Sequence, residues 1–344
     1  MKTVVYPTSP GIGDLIWHLP FIRAIAAQSA GGRVTVVARS STLAREWLSP
    51  DPAVEEVLYH HRRQRRSENR VLEGDAAPPA KPSLVQDLRL RGFERAFLFS
   101  ARVKPAVALW RAGIPRRAGY GHSALQRIWL NVPPFLEPYP GPLAPRLYFD
   151  AAAFAVAHGL LEGPPPPPRL HVPTDILERH RGALDDLGKE GPVALAIGAS
   201  ADWKNWGAAR FAALAQRLIS RGFGVLALGG PAEEALVESI RSRVSREAAH
   251  GFRGVISRSV LESAAMLREC AFLVGNDTGM LNVAAASGIR ALGLFGATTP
   301  LRHDPALEGV QGDGMSAISV EQVMARLDAL GWARPAGDPT GGSA

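Results

Sequence analysis

Val274-Gly275-Asn276-Asp277-Thr278-Gly279-Met280-Leu281-Asn282, followed closely by Leu294-Phe295-Gly296-Ala297-Thr298, is the stretch that decides how this chain reads. An apolar strand from Ala271 to Val274 empties into a polar turn containing glycine, and a helix rich in small residues begins near Met280. In an open α/β sheet, ligands sit at the carboxyl ends of strands, where loop amides and helix N-termini point outward. Asp277, Thr278 and Gly279 therefore stand where an anionic or sugar-bearing ligand is gripped. The same residues also suit an ordinary turn with Asp as the helix cap.

Two upstream segments repeat the pattern. Leu195-Ala196-Ile197-Gly198-Ala199-Ser200-Ala201-Asp202-Trp203-Lys204-Asn205-Trp206 is a strand ending in Gly and small polar residues, with a helix expected from about Ala208 to Arg221. Ser200 offers a hydroxyl, and Lys204 a compact positive charge that suits a phosphate oxygen or, alternatively, plain solvent. Val225-Leu226-Ala227-Leu228-Gly229-Gly230-Pro231-Ala232-Glu233-Glu234 runs a strand into a Gly-Gly-Pro turn and an acidic helix start. A carboxylate there accepts hydrogen bonds from ribose hydroxyls or simply favours the helix dipole. Each motif is weak alone, but three strand-end motifs fall in one half of the chain.

Length and composition bound the class. The chain has 344 residues, 46% hydrophobic and 21% charged, as expected of a folded globular protein. That length predicts two domains. No run approaches the about 20 apolar residues of a membrane-spanning helix, and Met1–Tyr6 reads as a strand rather than a signal peptide. Cys270 is the only cysteine, so no intrachain disulfide forms; it reads as a small buried hydrophobe and fits a reducing cytoplasm.

The net charge of +7 is unevenly placed. Residues 1–150 carry 21 Lys and Arg against 12 Asp and Glu, whereas residues 151–344 carry 18 against 20. The first half is thus +9, which points to an anionic partner. Its densest part is His60-His61-Arg62-Arg63-Gln64-Arg65-Arg66. Arg62, Arg63, Arg65 and Arg66 read either as a solvated basic loop or as a clamp for phosphates, carboxylates or an anionic membrane surface. No nucleic-acid-binding motif accompanies them.

Strands are predicted at Thr3–Tyr6, Val34–Val37, Val54–Tyr59 and Ala96–Phe99, with helices at Leu15–Gln28 and Leu43–Trp47. Residues 61–83 and Pro133–Pro145 are irregular, and a helix over Ala151–Leu161 leads to five prolines, Pro164 to Pro168. Such a run is extended and stiff, so the domain boundary is set there: residues 1–168, residues 169–333 and a flexible tail at 334–344. Further strands are predicted at Val193–Ile197, Val225–Leu228, around Val255, at Phe272–Val274 and at Ala291–Phe295.

The N-terminal motif is Tyr6-Pro7-Thr8-Ser9-Pro10-Gly11-Ile12-Gly13-Asp14-Leu15. A dinucleotide fingerprint needs a third glycine where Ile16 stands. The spacing offers instead a carboxylate, Asp14, projected from a tight turn. It is either a helix cap or a general base.

With these motifs, the chain resembles glycosyltransferase family 9, the ADP-heptose:lipopolysaccharide heptosyltransferases and their relatives. The resemblance rests on Gly13-Asp14 with Pro20 and Arg23-Ala24-Ile25, on Gly198 to Trp206, on Gly229-Gly230-Pro231 with Glu233, and on Asp277-Thr278-Gly279 with Leu294-Phe295-Gly296. It implies an α/β fold of GT-B type, two Rossmann-like domains facing across a central cleft, with acceptor on the N-terminal side and nucleotide sugar on the C-terminal side. It also implies inverting, metal-independent transfer from a nucleotide sugar, ADP-heptose in the family, to an anionic glycan or glycolipid such as the lipopolysaccharide inner core. No cofactor is expected. Asp14 would be the catalytic base; Gly13, Ser200, Lys204, Glu233, Asp277, Thr278, Gly279 and Asn282 would hold the donor, and Arg62, Arg63, Arg65 and Arg66 the acceptor. Asn282 stands where the family usually has a His, and Gly207 where relatives commonly show Pro. The expected location is the cytoplasm, with contact to the inner face of the inner membrane.

Two other classes are compatible with parts of the pattern. An NADP-dependent nucleotide-sugar-modifying enzyme would use Gly11-Ile12-Gly13 and Arg39, yet the Tyr-x-x-x-Lys set usual in such enzymes is not found. A non-catalytic glycan-binding protein would keep the basic half and need no Asp14.

Overall fold

Strands of a parallel sheet covered by helices on both faces are apolar throughout instead of alternating. Thr3–Pro7 (β1) and Val34–Ala38 (β2) are of this kind, with every residue buried. The structure, a computed structural model, describes residues 1–60, 83–257 and 259–333. Val54–Tyr59 (β3), Arg95–Phe99 (β4) and Arg116–Gly119 (β5) complete a first sheet, ordered β3-β2-β1-β4-β5 with every pair parallel. Pro192–Ala196 (β6), Gly224–Gly229 (β7), Phe252–Ile256 (β8), Phe272–Asn276 (β9), Arg290–Phe295 (β10) and Leu307–Gln311 (β11) form a second. Its order is β11-β10-β9-β6-β7-β8, again all parallel.

The expectation of two separate Rossmann-like sheets is met. In each sheet the chain starts in the middle, winds outward on one side, then returns to wind outward on the other. The reversal leaves a switch point between β1 and β4 in the first sheet and between β6 and β9 in the second. At such points the loops after adjacent strands diverge and open a crevice.

The chain divides into two compact units. One comprises Met1–Pro140 with Asp150–Pro166, the other Gly141–Phe149 with the residues from Pro167 onward. Gly141–Phe149 joins the second because Ala144 bridges Leu301 and its carbonyl accepts the Arg302 N–H at 2.8 Å. The predicted tail at 334–344 and the arginines at 62, 63, 65 and 66 lie outside the described residues.

Two strands escaped the sequence reading. β5 opens on Arg116-Arg117 and β11 carries Glu308 and Gln311; both are sheet edges, where one-sided pairing tolerates polar residues. The single helix predicted over Leu15–Gln28 is two, Ile12–Ile16 and Leu19–Ala27. Pro20 has no N–H to extend the first ladder and sits in the opening turn of the second helix.

Each unit has its own core. In the first, Phe99 meets Phe154 edge to face at 5.3 Å, with Tyr120 and Phe97 around them. In the second, Trp206 packs on Phe211 and Phe223 on Phe272. Gly275 lets β9 approach β6 closely, since a Cβ there would lie 2.5 Å from that of Ala196.

The buried amide of Asn276, at the end of β9, fastens the second switch point. Its Nδ2 donates to the carbonyls of Ile197 (2.9 Å) and Gly198 (3.1 Å), and its Oδ1 accepts the Trp206 N–H at 3.1 Å. A polar group without water must be paired in this way. Asn276→Ala leaves these three backbone groups unpaired and is expected to lower stability by about 2–4 kcal/mol. Urea unfolding checks this; an unchanged midpoint would show that other groups take over the bonds.

Candidate functional site

At the switch point of the second unit, the loops after β6 and β9 bring Lys204 and Asp277 together. Lys204 ends the short turn Asp202–Lys204, and Asp277 follows β9 directly. The Lys204 ammonium lies 2.6 Å from Asp277 Oδ2 and 3.3 Å from the Asp277 carbonyl. Thr298, in the loop after β10, donates to the same carboxylate oxygen at 2.9 Å. Both charged side chains are less than one-fifth exposed, so Lys204 is not the solvated surface lysine that remained open in the sequence.

Why the turn is held there follows from its tryptophans. Trp206 is fully buried, its indole N–H donating to the Ile318 carbonyl at 2.8 Å, while Trp203 stays exposed with the Lys204 ammonium 5.2 Å from its ring. One aromatic anchors the segment in the core, and the other flanks the cation. Gly207 then starts the helix Ala208–Ser220 at φ 96°, a value closed to proline, whose ring fixes φ near −65°.

Thr278 caps the helix Gly279–Ala286 in an extended conformation without a side-chain cap bond, so amides of the first turn point out of the helix end beside Asp277. Asn282 sits one turn in and is buried. Glu233 follows β7, its Oε2 accepting the Gly230 N–H at 2.9 Å. Its carboxylate lies beside Gly198, where a Cβ would come 3.4 Å from Glu233 Cδ. Ser200 is exposed on the β6 loop. Lys204, Asp277, Thr278, Gly279, Glu233 and Ser200 thus all belong to loops at the carboxyl ends of β6, β7 and β9.

In the first unit, Asp14 lies in the helix Ile12–Ile16 after β1, half-buried, with Oδ2 accepting the Gly11 N–H at 2.9 Å. The capping role considered from sequence is real. A carboxylate that caps a helix keeps its basicity, so the cap is compatible with either reading. The Asp14 carbonyl is fixed by the buried His18, whose Nδ1 lies 2.8 Å away, and by the Ser9 hydroxyl at 3.3 Å. A carbonyl can only accept, so His18 carries its proton on Nδ1. Burial pushes the His18 pKa down to about 4 and keeps the ring neutral.

Beside this loop lies a feature that strand-by-strand reading missed. A cavity of about 280 Å³ is lined by Tyr6, Thr8, Arg39, His60, Arg102, Lys104 and Pro105. These residues come from the carboxyl ends of β1 to β4, and Thr8 is tied to Ser100 at 2.9 Å. Among the described residues, three cations and no carboxylate line the cavity, so it suits an anionic group. The signals in the sequence were Arg39 at a strand end and His60 at the head of the basic run. Arg102 and Lys104 become neighbours of Arg39 only through the β2-β1-β4 pairing. Among the described residues, no group of three His, Cys, Asp or Glu converges to hold a metal ion.

The sequence model of glycosyltransferase family 9 (heptosyltransferase) matches residues 82–316. Lipopolysaccharide heptosyltransferase 2 of Escherichia coli K12 is 25% identical over 310 residues, covering 87% of this chain and 84% of its own. The structure of E. coli ADP-heptose lps heptosyltransferase II superposes with a TM-score of 0.72 at 22% identity, covering 96% of this chain and 98% of that one. E. coli heptosyltransferase WaaC with ADP-2-deoxy-2-fluoro heptose gives 0.68 at 18% identity, covering 96% and 100%. The likeness to these structures is one of fold.

His18 supplies a pH test of the Asp14 loop. Its folded pKa, about 4, lies below the ordinary 6.5, so between these values the unfolded chain binds a proton that the folded one does not. Stability conferred by the neutral ring is present above pH 6.5 and is lost as pH falls toward 4, by up to about 3 kcal/mol. His303, also held neutral by burial and pushed to about 3, adds to the same slope. The arginine-paired Glu56, whose pKa is depressed chiefly by its hydrogen bond from Arg91, acts only below the ordinary carboxylate range. His18→Gln keeps an N–H donor but does not titrate, and unfolding measured from pH 7 to pH 5 should show a shallower loss for it. An identical slope would mean that His18 protonates in the folded protein.

Proposed function

The chain belongs to glycosyltransferase family 9, and on that footing we propose that it transfers heptose from ADP-heptose to the inner core of lipopolysaccharide, inverting the anomeric carbon without a metal ion. The observation that carries the reading is the Lys204–Asp277–Thr298 cluster beside an open helix N-terminus at the switch point of the second unit. An ammonium and helix amides in one place suit a diphosphate, and a carboxylate suits sugar hydroxyls. The names of the E. coli relatives supply the donor and acceptor: an ADP-heptose lipopolysaccharide heptosyltransferase and an enzyme with a fluorinated ADP-heptose.

The chemistry follows from these groups. An acceptor hydroxyl attacks the anomeric carbon, its proton passes to the Asp14 carboxylate, and the bond from that carbon to the β-phosphate oxygen breaks on the opposite face. The departing ADP takes the electron pair, and its added negative charge is met by Lys204 and the amides around Thr278 and Gly279. Glu233 holds the ribose, Asp277 the heptose hydroxyls, and Ser200, Gly13 and Asn282 complete the donor contacts. No metal is needed because these cationic groups take up the charge. The acceptor's carboxylates and phosphates meet Arg39, Arg102 and Lys104 in the first unit, together with the arginines at 62, 63, 65 and 66. Such an acceptor is lipid-linked, which sets the reaction at the cytoplasmic face of the inner membrane.

Asp14→Asn is the deciding variant. Asn retains an acceptor for the Gly11 N–H, so melting and ADP-heptose binding should be unchanged, while turnover falls by about 10²–10⁴-fold. Near-parental turnover would make Asp14 a cap and nothing more. Lys204→Ala should weaken ADP binding by roughly 1.5–3 kcal/mol, the worth of a hydrogen bond to a charged group. Calorimetric titration showing parental affinity would remove Lys204 from the donor site. The anomeric configuration of the product and activity in EDTA test inversion and metal independence directly.

A further inference from the structure

Between Glu94 and Glu137 the chain has no carboxylate and seven cationic side chains, Arg95, Arg102, Lys104, Arg111, Arg116, Arg117 and Arg127. Within that span the first unit exposes apolar side chains that a monomer in water has no use for. Leu125 is 57% exposed, Ile128 67% and Trp110 49%. Their exposure is built in. On the turn Ala124–Arg127, Gln126 points inward and is fully buried, donating to the carbonyls of Ser100 at 2.6 Å and Arg102 at 3.1 Å. Leu125, Ile128 and Trp129 fall at i, i+3 and i+4 and share another face.

Trp129 packs against Trp110 of the helix Val103–Arg111, ring centroids 4.8 Å apart and planes inclined by 60°, so the two elements form one apolar surface. The Arg117 guanidinium fixes the turn from behind, donating to the carbonyls of Trp129 (2.8 Å) and Ile114 (2.5 Å). Along the helix, Val103, Val107 and Trp110 succeed one another at i, i+4 and i+7, with Lys104 and Arg111 exposed beside them. Exposed tryptophan and aliphatic side chains flanked by cations are the composition of a helix lying in a lipid interface.

We propose that this surface, centred on Trp110, Leu125 and Ile128, seats the protein on a bilayer rich in anionic lipid. The apolar side chains enter the headgroup–acyl boundary, and Arg111 and its neighbours face lipid phosphates. Arg127 of the turn is paired with Glu137 at 3.3 Å, but Lys104 and Arg111 stand exposed beside the apolar side chains and favour an anionic partner, and a bilayer supplies apolar depth and anionic charge together. The proposal deepens the assignment of a lipid-linked acceptor but needs neither donor nor turnover to be tested.

The test is co-sedimentation of the full-length protein with phosphatidylglycerol–phosphatidylethanolamine vesicles and, separately, phosphatidylcholine vesicles. Binding is expected to the former only and to weaken as salt shortens the Debye length. Leu125→Ser/Ile128→Ser should lower the bound fraction by at least about tenfold, since each residue loses its apolar insertion. Arg111→Glu should lower it as well, and it decides the matter if the apolar variant fails to melt like the parent. Absence of binding to anionic vesicles, or undiminished binding by either folded variant, overturns the proposal. So does a concentration-dependent dimer that these variants abolish without vesicle binding, which would make a second copy the occupant. Transfer to a soluble oligosaccharide acceptor should be equal in parent and variants; its absence from both would refute the transferase assignment and leave vesicle binding as measured.

Discussion

The hydrogen bonds of one buried amide, Asn276, hold the rest of the second unit's site in place. The Asn276 side chain spans the gap between β6 and β9 where their loops diverge, taking up two carbonyls on one side and the Trp206 N–H on the other. Asp277 is the next residue, and Lys204 is two residues before Trp206. With both backbones fixed by the same amide, the ion pair between them needs little further ordering. A lysine otherwise loses up to about 2 kcal/mol of side-chain freedom when it is held, which is why solvent-exposed pairs contribute so little. Here the backbone is already committed.

The two switch points share a topology and differ in charge. In the second unit, the cation is answered by a carboxylate on the adjacent loop. In the first, Arg39, Arg102 and Lys104 face a cavity with no carboxylate among its described lining residues. Cations gathered without a counter-charge repel one another, and an incoming anion relieves that repulsion. The excess of +9 in residues 1–150 is thus partly localised at strand ends and partly spread over the carboxylate-free span that carries Trp110 and Ile128.

Much of this was legible before any coordinates, for definite reasons. Central parallel strands are apolar and end in Gly or small polar residues, so β1, β2, β4, β6, β7, β9 and β10 announce themselves and carry Asp14, Ser200, Glu233 and Asp277 at their ends. Of the edge strands, β3 and β8 keep enough apolar residues to be read, whereas β5 (Arg116-Arg117-Ala118-Gly119) and β11 (Leu307-Glu308-Gly309-Val310-Gln311) do not and went unread. The cavity of the first unit went unread as well, because its cations lie far apart in sequence and meet only through non-sequential pairing. Asn276 and Thr298 stood in the quoted stretch without a role. An Asn closing an apolar strand is a buried polar group in need of partners, and that accounting would have singled it out.

The ion pair raises the question of whether Lys204 can serve a phosphate while held by Asp277. An ammonium has three N–H donors. In the structure, the Asp277 carboxylate and carbonyl take two, at 2.6 and 3.3 Å. The third is available to a phosphate oxygen without breaking the pair, and the weaker contact to the carbonyl can yield a second. On the other partner, Asp277 Oδ2 is shared by Lys204 and Thr298, so the proposed contact to a sugar hydroxyl would fall to Oδ1. Asn282, neutral where the family usually has an ionisable His, adds no proton charge at the helix start. Lys204 and the peptide dipoles of Gly279–Ala286 therefore carry the positive potential at this switch point. The pair fixes the ammonium and the carboxylate side by side at the ends of β6 and β9, so that in the proposed reading one contact serves both ends of the donor.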